Sequence, residues 1–311
     1  MTAKPAVDAA AVAGFLSDLH GVAVTDLQPI TGGFWSAAYS YSAGGRELVL
    51  RLSDVPEGFT SDAVAHQLAG RYLPVPEILA TGTALGTSYA ISTRCHGQFL
   101  EEADAPAPAL ARLLAGLRQV QAGPADPIAL IGEGPLTWRS WVAGVLVDRP
   151  EDRTFGWRRT LTGLPDADAV FVAAEDRVTE LLASCPERRD LVHGDLLHRN
   201  VLISPDGSQA TGVFSWKCAA RGDFLYDVAW CTFWSPWHPG IAAADAWQLT
   251  VTASDLTSAD LVHAPARHHC YELAIGASHL GWYLWTGDHR ELERATARLA
   301  ELLRRGPMPD L

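Results

Sequence analysis

The sequence predicts an α+β protein in two lobes, a small β-rich lobe followed by a larger helical one, and three observations carry that prediction. The chain has 311 residues, enough for two cores when one domain takes about 100 to 200. Between residues 22 and 97, short alternating runs are punctuated by the pairs Gly32-Gly33 and Gly44-Gly45, a pattern of antiparallel strands and turns. From about Glu101 onward, apolar residues recur at helical spacing.

The first twenty residues, "MTAKPAVDAAAVAGFLSDLH", predict an amphipathic helix, because Pro5, Asp8 and Asp18 interrupt any apolar run long enough for a secretion signal. "VAVTDLQPITGGFWSAAYSYSAGGRELVLRLS" predicts a strand, a glycine turn and further strands. "SDAVAHQLAGRYL" predicts a helix from Ser61 to Leu73 with Ser61 as its N-cap, and "PVPEILATGTALGTSYAISTRCHG" a return to strands. The lobes are expected to join near Ser92 to Gly97, giving an N-lobe of residues 1–93 and a C-lobe of residues 94–311. Within the C-lobe, "APALARLLAGLRQVQA" and "DADAVFVAAEDRVTELLASC" predict helices. The last helix has Leu292, Ala295, Leu299 and Leu302 on one face. Only Val201 to Ile203 and Ala210 to Phe214 are expected to break this helical pattern, as a hairpin over "SPDGSQ".

Composition narrows the function. With 24 Lys and Arg against 36 Asp and Glu, the net charge of −12 argues against nucleic-acid or anionic-membrane partners and suits a cationic small substrate. Five cysteines without paired spacing point to reduced thiols and a cytoplasmic protein. "HHCYELAIG" places His268, His269 and Cys270 side by side, with His263 upstream but no second spaced pair, so a zinc site is not expected.

The chemistry is concentrated in "LVHGDLLHRN". Phosphoryl transfer to an alcohol needs a carboxylate at the hydroxyl, a metal on the phosphate oxygens and a cation over the phosphates. "HGDLLHRN" fits HxDxxxxN, with Asp195 spaced to accept the hydroxyl proton and Asn200 to ligate a metal from the same loop. Gly32 and Gly33 permit a close backbone approach to phosphate.

These stretches, with "ELVLRLS", "LPVPEILATG", "YAISTRCHG", "LTWRSW" and "GDFLYDVAWCTFWSPW", make nearly the whole chain resemble the aminoglycoside phosphotransferase family, particularly the hygromycin B phosphotransferases. The resemblance implies a protein-kinase-like bilobal fold, ATP or GTP with Mg²⁺, and transfer to a hydroxyl of a small molecule, an antibiotic above all. Carried over by motif, Asp195 is the base and Asn200 the metal ligand. Arg51 stands where many members have a phosphate-contacting lysine. Asp62, the one carboxylate of the predicted helix, is its expected ion-pair partner. Backbone groups from Ser92 to Arg94 are expected to meet the purine edge.

One position departs from the pattern. The family's second metal ligand is an aspartate directly before the tryptophan after the hairpin, and here that residue is Ser215. A hydroxyl holds Mg²⁺ only indirectly, a loss worth very roughly a thousandfold in rate. The sequence therefore leaves open an impaired kinase-like binding protein, whether a natural pseudoenzyme or an inactivated variant. Asp223 and Asp227 resemble structural acids contacting the catalytic loop, and Asp223 is the first candidate to replace the missing charge. Trp230, Trp234 and Trp237 read chiefly as packing residues. Glu101, Glu102 and Asp104 read as a solvated loop with a secondary capacity to attract ammonium groups. The oligomeric state is not legible.

Overall fold

The computed structural model describes residues 4–123 and 125–309. The chain folds as an α+β protein with a sheet-based N-terminal region and a helical C-terminal region. The first helix, α1 (Ala9–His20), starts later than predicted. Asp8 caps it by accepting from the Ala11 amide, and the residues between Pro5 and Asp8 are not helical, while Met1 to Ala3 lie outside the described residues. Next come β1 (Thr25–Ile30), β2 (Ala37–Ala43), β3 (Arg46–Ser53), α2 (Glu57–Ala69), β4 (Ile78–Ala84) and β5 (Thr87–Thr93).

The five strands form an antiparallel sheet in the order β1-β2-β3-β5-β4. Strand periodicity puts Leu48, Leu50 and Leu52 on one face of β3, where they join Tyr41, Tyr89 and Ile91 in a core covered by Val12 and Leu16 of α1. Arg51, between Leu50 and Leu52, is therefore turned to the opposite face.

Helix α2 begins four residues before the predicted start, and Ser61 is not its cap. The Ser61 hydroxyl donates to the Glu57 carbonyl one turn back, which satisfies it within the helix. Glu57 thereby becomes a second carboxylate of this helix. Although α2 lies between strands of the small sheet in chain order, Ala65 and Ala69 are buried in the core of the helical region.

The chain crosses over at Gly97, whose φ of +155° favours glycine and where a Cβ would run into the Ile203 carbonyl. Beyond it lie β6 (Gln98–Phe99), α3 (Ala107–Gln119), α4 (Trp138–Gly144), α5 (Trp157–Leu161), α6 (Pro165–Leu181) and β7 (Asp190–Val192). Then follow β8 (Val201–Ile203), β9 (Ala210–Val213), β10 (Ala220–Gly222), α7 (Leu225–Trp234), α8 (Pro239–Ala244), α9 (Ala246–Val251), α10 (Ala264–Thr286) and α11 (His289–Arg305). The β8–β9 hairpin is where it was predicted, but it is not the only interruption of the helices. β6 adds to it, and β7 pairs with β10. These added strands have two or three residues each, too short to show a period of two. Leu292, Ala295, Leu299 and Leu302 are all buried along α11.

Candidate active site

The loop between β7 and β8 carries Asp195 and Asn200, and buried polar contacts hold it from three sides. Asp227, in the first turn of α7, accepts the backbone amides of His193 and Gly194 at 2.8 and 2.9 Å. The Asp195 amide donates to His193 Nδ1 at 3.1 Å, so the other ring nitrogen carries the proton it donates to the Phe214 carbonyl, at 2.8 Å. Asn200 donates its side-chain amide to the Asp195 carbonyl at 2.8 Å, and its own carbonyl accepts from the Phe214 amide. The two motif residues are thus locked to each other and to the strand leading into Ser215.

Between them, His198 and Arg199 both take positive φ, 62° and 66°, an uncommon conformation for residues other than glycine. Side-chain contacts hold it. The His198 ring nitrogen Nδ1 is 2.8 Å from a carboxylate oxygen of Asp195, and Glu101 accepts the Arg199 amide. Protein packed around the His198 imidazole pushes its pKa down, but the hydrogen bond and charge of Asp195 more than offset this and hold it above the ordinary value. The Arg199 guanidinium pairs with Glu102 at 2.8 Å. Glu101 is therefore not part of a solvated loop. It is buried beneath the β7–β8 loop, and burial raises its carboxyl above the usual range. Its partner is 98 residues away in sequence, so no local pattern marked it.

Arg51 and Asp62 form an ion pair, and the other Asp62 oxygen accepts the Trp216 amide at 2.8 Å. One buried carboxylate thus ties β3 to the turn that begins at Ser215. Gly32 and Gly33, with φ of 110° and 54°, make the bend between β1 and β2, and the Arg199 side chain lies against Gly32. If Arg51 contacts phosphate, Arg51→Ala is expected to weaken nucleotide affinity about tenfold, the scale of one charge-assisted hydrogen bond, while leaving acceptor affinity nearly unchanged. Titration calorimetry with each ligand separately checks this, and unchanged nucleotide affinity would remove Arg51 from the phosphate site.

Two of the amides expected at a purine edge are already taken within the protein. Ser92 sits inside the sheet opposite Val49 and Ile78, the Thr93 amide donates to the Glu77 carbonyl, and the Arg94 amide donates to the Glu47 carbonyl. The Arg94 guanidinium also pairs with Glu47.

Asp223 cannot replace the charge missing at Ser215. Its carboxylate is fully buried, accepts two bonds from Arg267 at 2.8 and 2.7 Å, and accepts the Tyr271 hydroxyl at 2.8 Å. Asn200 and Ser215 therefore present only an amide oxygen and a hydroxyl. No group of three or more His, Cys, Asp or Glu side chains suited to a metal occurs among the described residues. Mg²⁺ is held by carboxylate and phosphate oxygens, so this neutral donor set does not fit an ion bound by the protein's own charge. His268 and His269 are buried on α10 against Glu272.

Beside the loop, Trp230 and Trp234 are buried and pack around His198 and His279. Trp237 is half-buried and donates to Glu291 at 2.6 Å. His279 donates from Nδ1 to the Ile275 carbonyl, leaving Nε2 as an acceptor, and burial pushes its pKa down to about 4, so it is neutral at physiological pH. It lines a cavity of about 270 Å³ with Arg149, Asp152, Thr154, Ser278 and Trp282. Phe34 and Trp35, directly after the glycine pair, pack on Trp282, which lines this cavity, and on Trp285 of α10 at centroid distances of 5.1 to 6.2 Å. The sequence signals for this cluster were an aromatic pair in a glycine bend and two tryptophans three residues apart on a helix.

Known proteins resemble this chain in sequence and fold. Hygromycin-B 4-O-kinase of Escherichia coli is 29% identical over 318 aligned positions, which cover 97% of this chain and 87% of that one. A thermostable variant of aminoglycoside phosphotransferase APH(4)-Ia, solved as a ternary complex with AMP-PNP and hygromycin B, superimposes with a TM-score of 0.78 at 28% identity, covering 94% of this chain and 98% of that chain. Spectinomycin phosphotransferase APH(9)-Ia, in complex with ADP and spectinomycin, shares the fold with a TM-score of 0.60 at 11% identity, over 96% of this chain and 98% of that chain. The family model described as phosphotransferase enzymes matches residues 26–261, and on that match the chain belongs to the phosphotransferase enzyme family.

Proposed function

We propose that this protein transfers the γ-phosphoryl group of ATP or GTP to a hydroxyl of an aminoglycoside-like small molecule, a cytoplasmic activity that would confer antibiotic resistance. The observation that carries the reading is the single loop in which Asp195 and Asn200 are fixed to each other beside the Arg51–Asp62–Trp216 chain. Residues 1–93 act as the nucleotide-binding lobe, and residues 94–311 carry the catalytic loop and acceptor site. Support comes from relatives whose structures hold AMP-PNP, ADP, hygromycin B or spectinomycin. The cysteines are all free thiols, as a reducing compartment requires. No helix among the described residues is long and apolar enough to cross a membrane.

In this reading the acceptor occupies the cavity beside His279, whose unprotonated Nε2 accepts a hydrogen bond from the substrate. Asp195 takes the proton of the reacting hydroxyl as its oxygen attacks the γ-phosphorus, and the bond from that phosphorus to the β–γ bridging oxygen breaks. Arg51 and the amides near Gly32 and Gly33 hold the phosphates. The Mg²⁺ of the family has no carboxylate here to anchor it, so none of these steps is assigned to it.

A second reading, a protein that binds nucleotide or drug without turnover, is favoured by Ser215 alone. One experiment separates them: nucleotide consumption by the protein and by its Ser215→Asp variant against a panel of aminoglycosides and nucleoside antibiotics. Acceptor-dependent consumption by the parent supports transfer. Acceptor binding without consumption by the parent, with turnover gained in the variant, supports the binding protein. No acceptor effect in either would remove this substrate class.

A further inference from the structure

The absence of a carboxylate at Ser215 coincides with a cation two residues away. Ser215 has φ of 64° and starts the turn Trp216–Cys218, whose middle residue is Lys217. Two residues span at most about 7 Å, so the Lys217 backbone lies close to the position from which the family's aspartate would act. Its side chain is exposed and extends toward the glycine bend, with Nζ 5.6 Å from the centroid of the Trp35 ring. No carboxylate forms a salt bridge with it among the described residues. The same ring is approached by Arg153, like Lys217 a residue of the C-terminal region, at 5.3 Å. Arg51 is linked to the same turn, since Asp62 pairs with it and accepts the Trp216 amide. Although the chain as a whole carries a net charge of −12, two cations, Lys217 and Arg153, meet on the ring that follows the glycine bend.

Charge balance gives this gathering a meaning. A carboxylate with a divalent ion adds one net positive charge beside a triphosphate, and a serine with a lysine adds the same charge with no ion. The lysine also supplies three N–H donors to phosphate oxygens. We propose that Lys217 is a phosphate-binding residue that takes over the charge normally supplied by a carboxylate-anchored Mg²⁺, so that this protein binds a nucleoside triphosphate with little dependence on divalent metal. The inference rests on the nucleotide-dependent reading above and adds to it the residue that makes up for Ser215.

The test is titration calorimetry of the full chain with AMP-PNP and with GMP-PNP, each in excess EDTA and in Mg²⁺. The parent is expected to bind one of them with affinities that agree within about threefold between the two conditions. Lys217→Ala is expected to lose about tenfold or more in EDTA, the scale of one charge-assisted hydrogen bond, and to become metal-dependent. Lys217→Arg is expected to recover most of the loss, because it restores the charge. Circular dichroism confirms that the variants fold, as a surface side chain allows. If the parent binds more than tenfold tighter with Mg²⁺, or Lys217→Ala matches the parent in EDTA, the proposal for Lys217 is wrong while the nucleotide reading stands. If the parent binds neither nucleotide in either condition, both fall.

Discussion

Asp195→Ala is expected to lower phosphoryl transfer by about a hundredfold to ten-thousandfold, the range that a positioned general base contributes, with nucleotide affinity nearly unchanged. The asymmetry follows from geometry. The Asp195 carboxylate is held on the His198 side of the loop, whereas its backbone carbonyl faces the Asn200 amide, so truncating the side chain leaves the Asn200 contact and the Asp227 cap in place. The measurement is nucleoside diphosphate release at saturating acceptor, paired with calorimetry of the nucleotide. Residual activity within tenfold of the parent would remove Asp195 from the mechanism. Collapse of nucleotide affinity would mean that the side chain supports the loop and does not serve only the hydroxyl.

Restoring the carboxylate in Ser215→Asp is expected to raise turnover by about a hundredfold, roughly 3 kcal/mol of barrier. It should also strengthen Mg²⁺-nucleotide binding and weaken binding of the same nucleotide in chelator. The backbone admits the change, since Asp tolerates the left-handed conformation of position 215 better than most residues. With the ion present, the new oxygen anchors charge that stabilises the triphosphate. Without it, the carboxylate repels the phosphates and also neutralises Lys217 nearby. Both affinities and the rate of diphosphate release decide the matter. A parent that already binds Mg²⁺-nucleotide tightly and turns over at an ordinary kinase rate, on the order of 1 to 100 per second, would sink the idea. Asp223 could not then be credited, because Arg267 and Tyr271 occupy its carboxylate.

The parts of this protein legible in sequence are those encoded locally. The alternating run that predicted strands is the one that buries Leu48, Leu50 and Leu52 on one face of β3, and the fixed spacing of His193, Asp195 and Asn200 singled out the β7–β8 loop as the candidate catalytic loop. What local pattern could not show was set by distant partners. Glu101 sits in "LEEAD", which reads as solvated until Arg199 folds over it. The start of α2 was hidden because "PEGFTSD" looks like a loop, and Phe59 is helical there because it buries beneath the Arg51 guanidinium. Which amides between Ser92 and Arg94 stay free was hidden for a related reason, since it depends on the register of the neighbouring strands.

The placement of α2 has a consequence for how the protein opens. Covalent order assigns this helix to the small sheet, yet Ala65 and Ala69 lie in the large core and Asp62 holds the Trp216 amide. Cooperative units follow packing and not chain order. In native-state hydrogen exchange, the α2 amides are therefore expected to open together with those of α10, at higher free energy than the amides of β1 at the sheet edge. The β1–β2 ribbon can then fray and re-form while the Arg51 partner Asp62 stays anchored to the large core, so a local opening of the small sheet leaves one side of the proposed phosphate site in place.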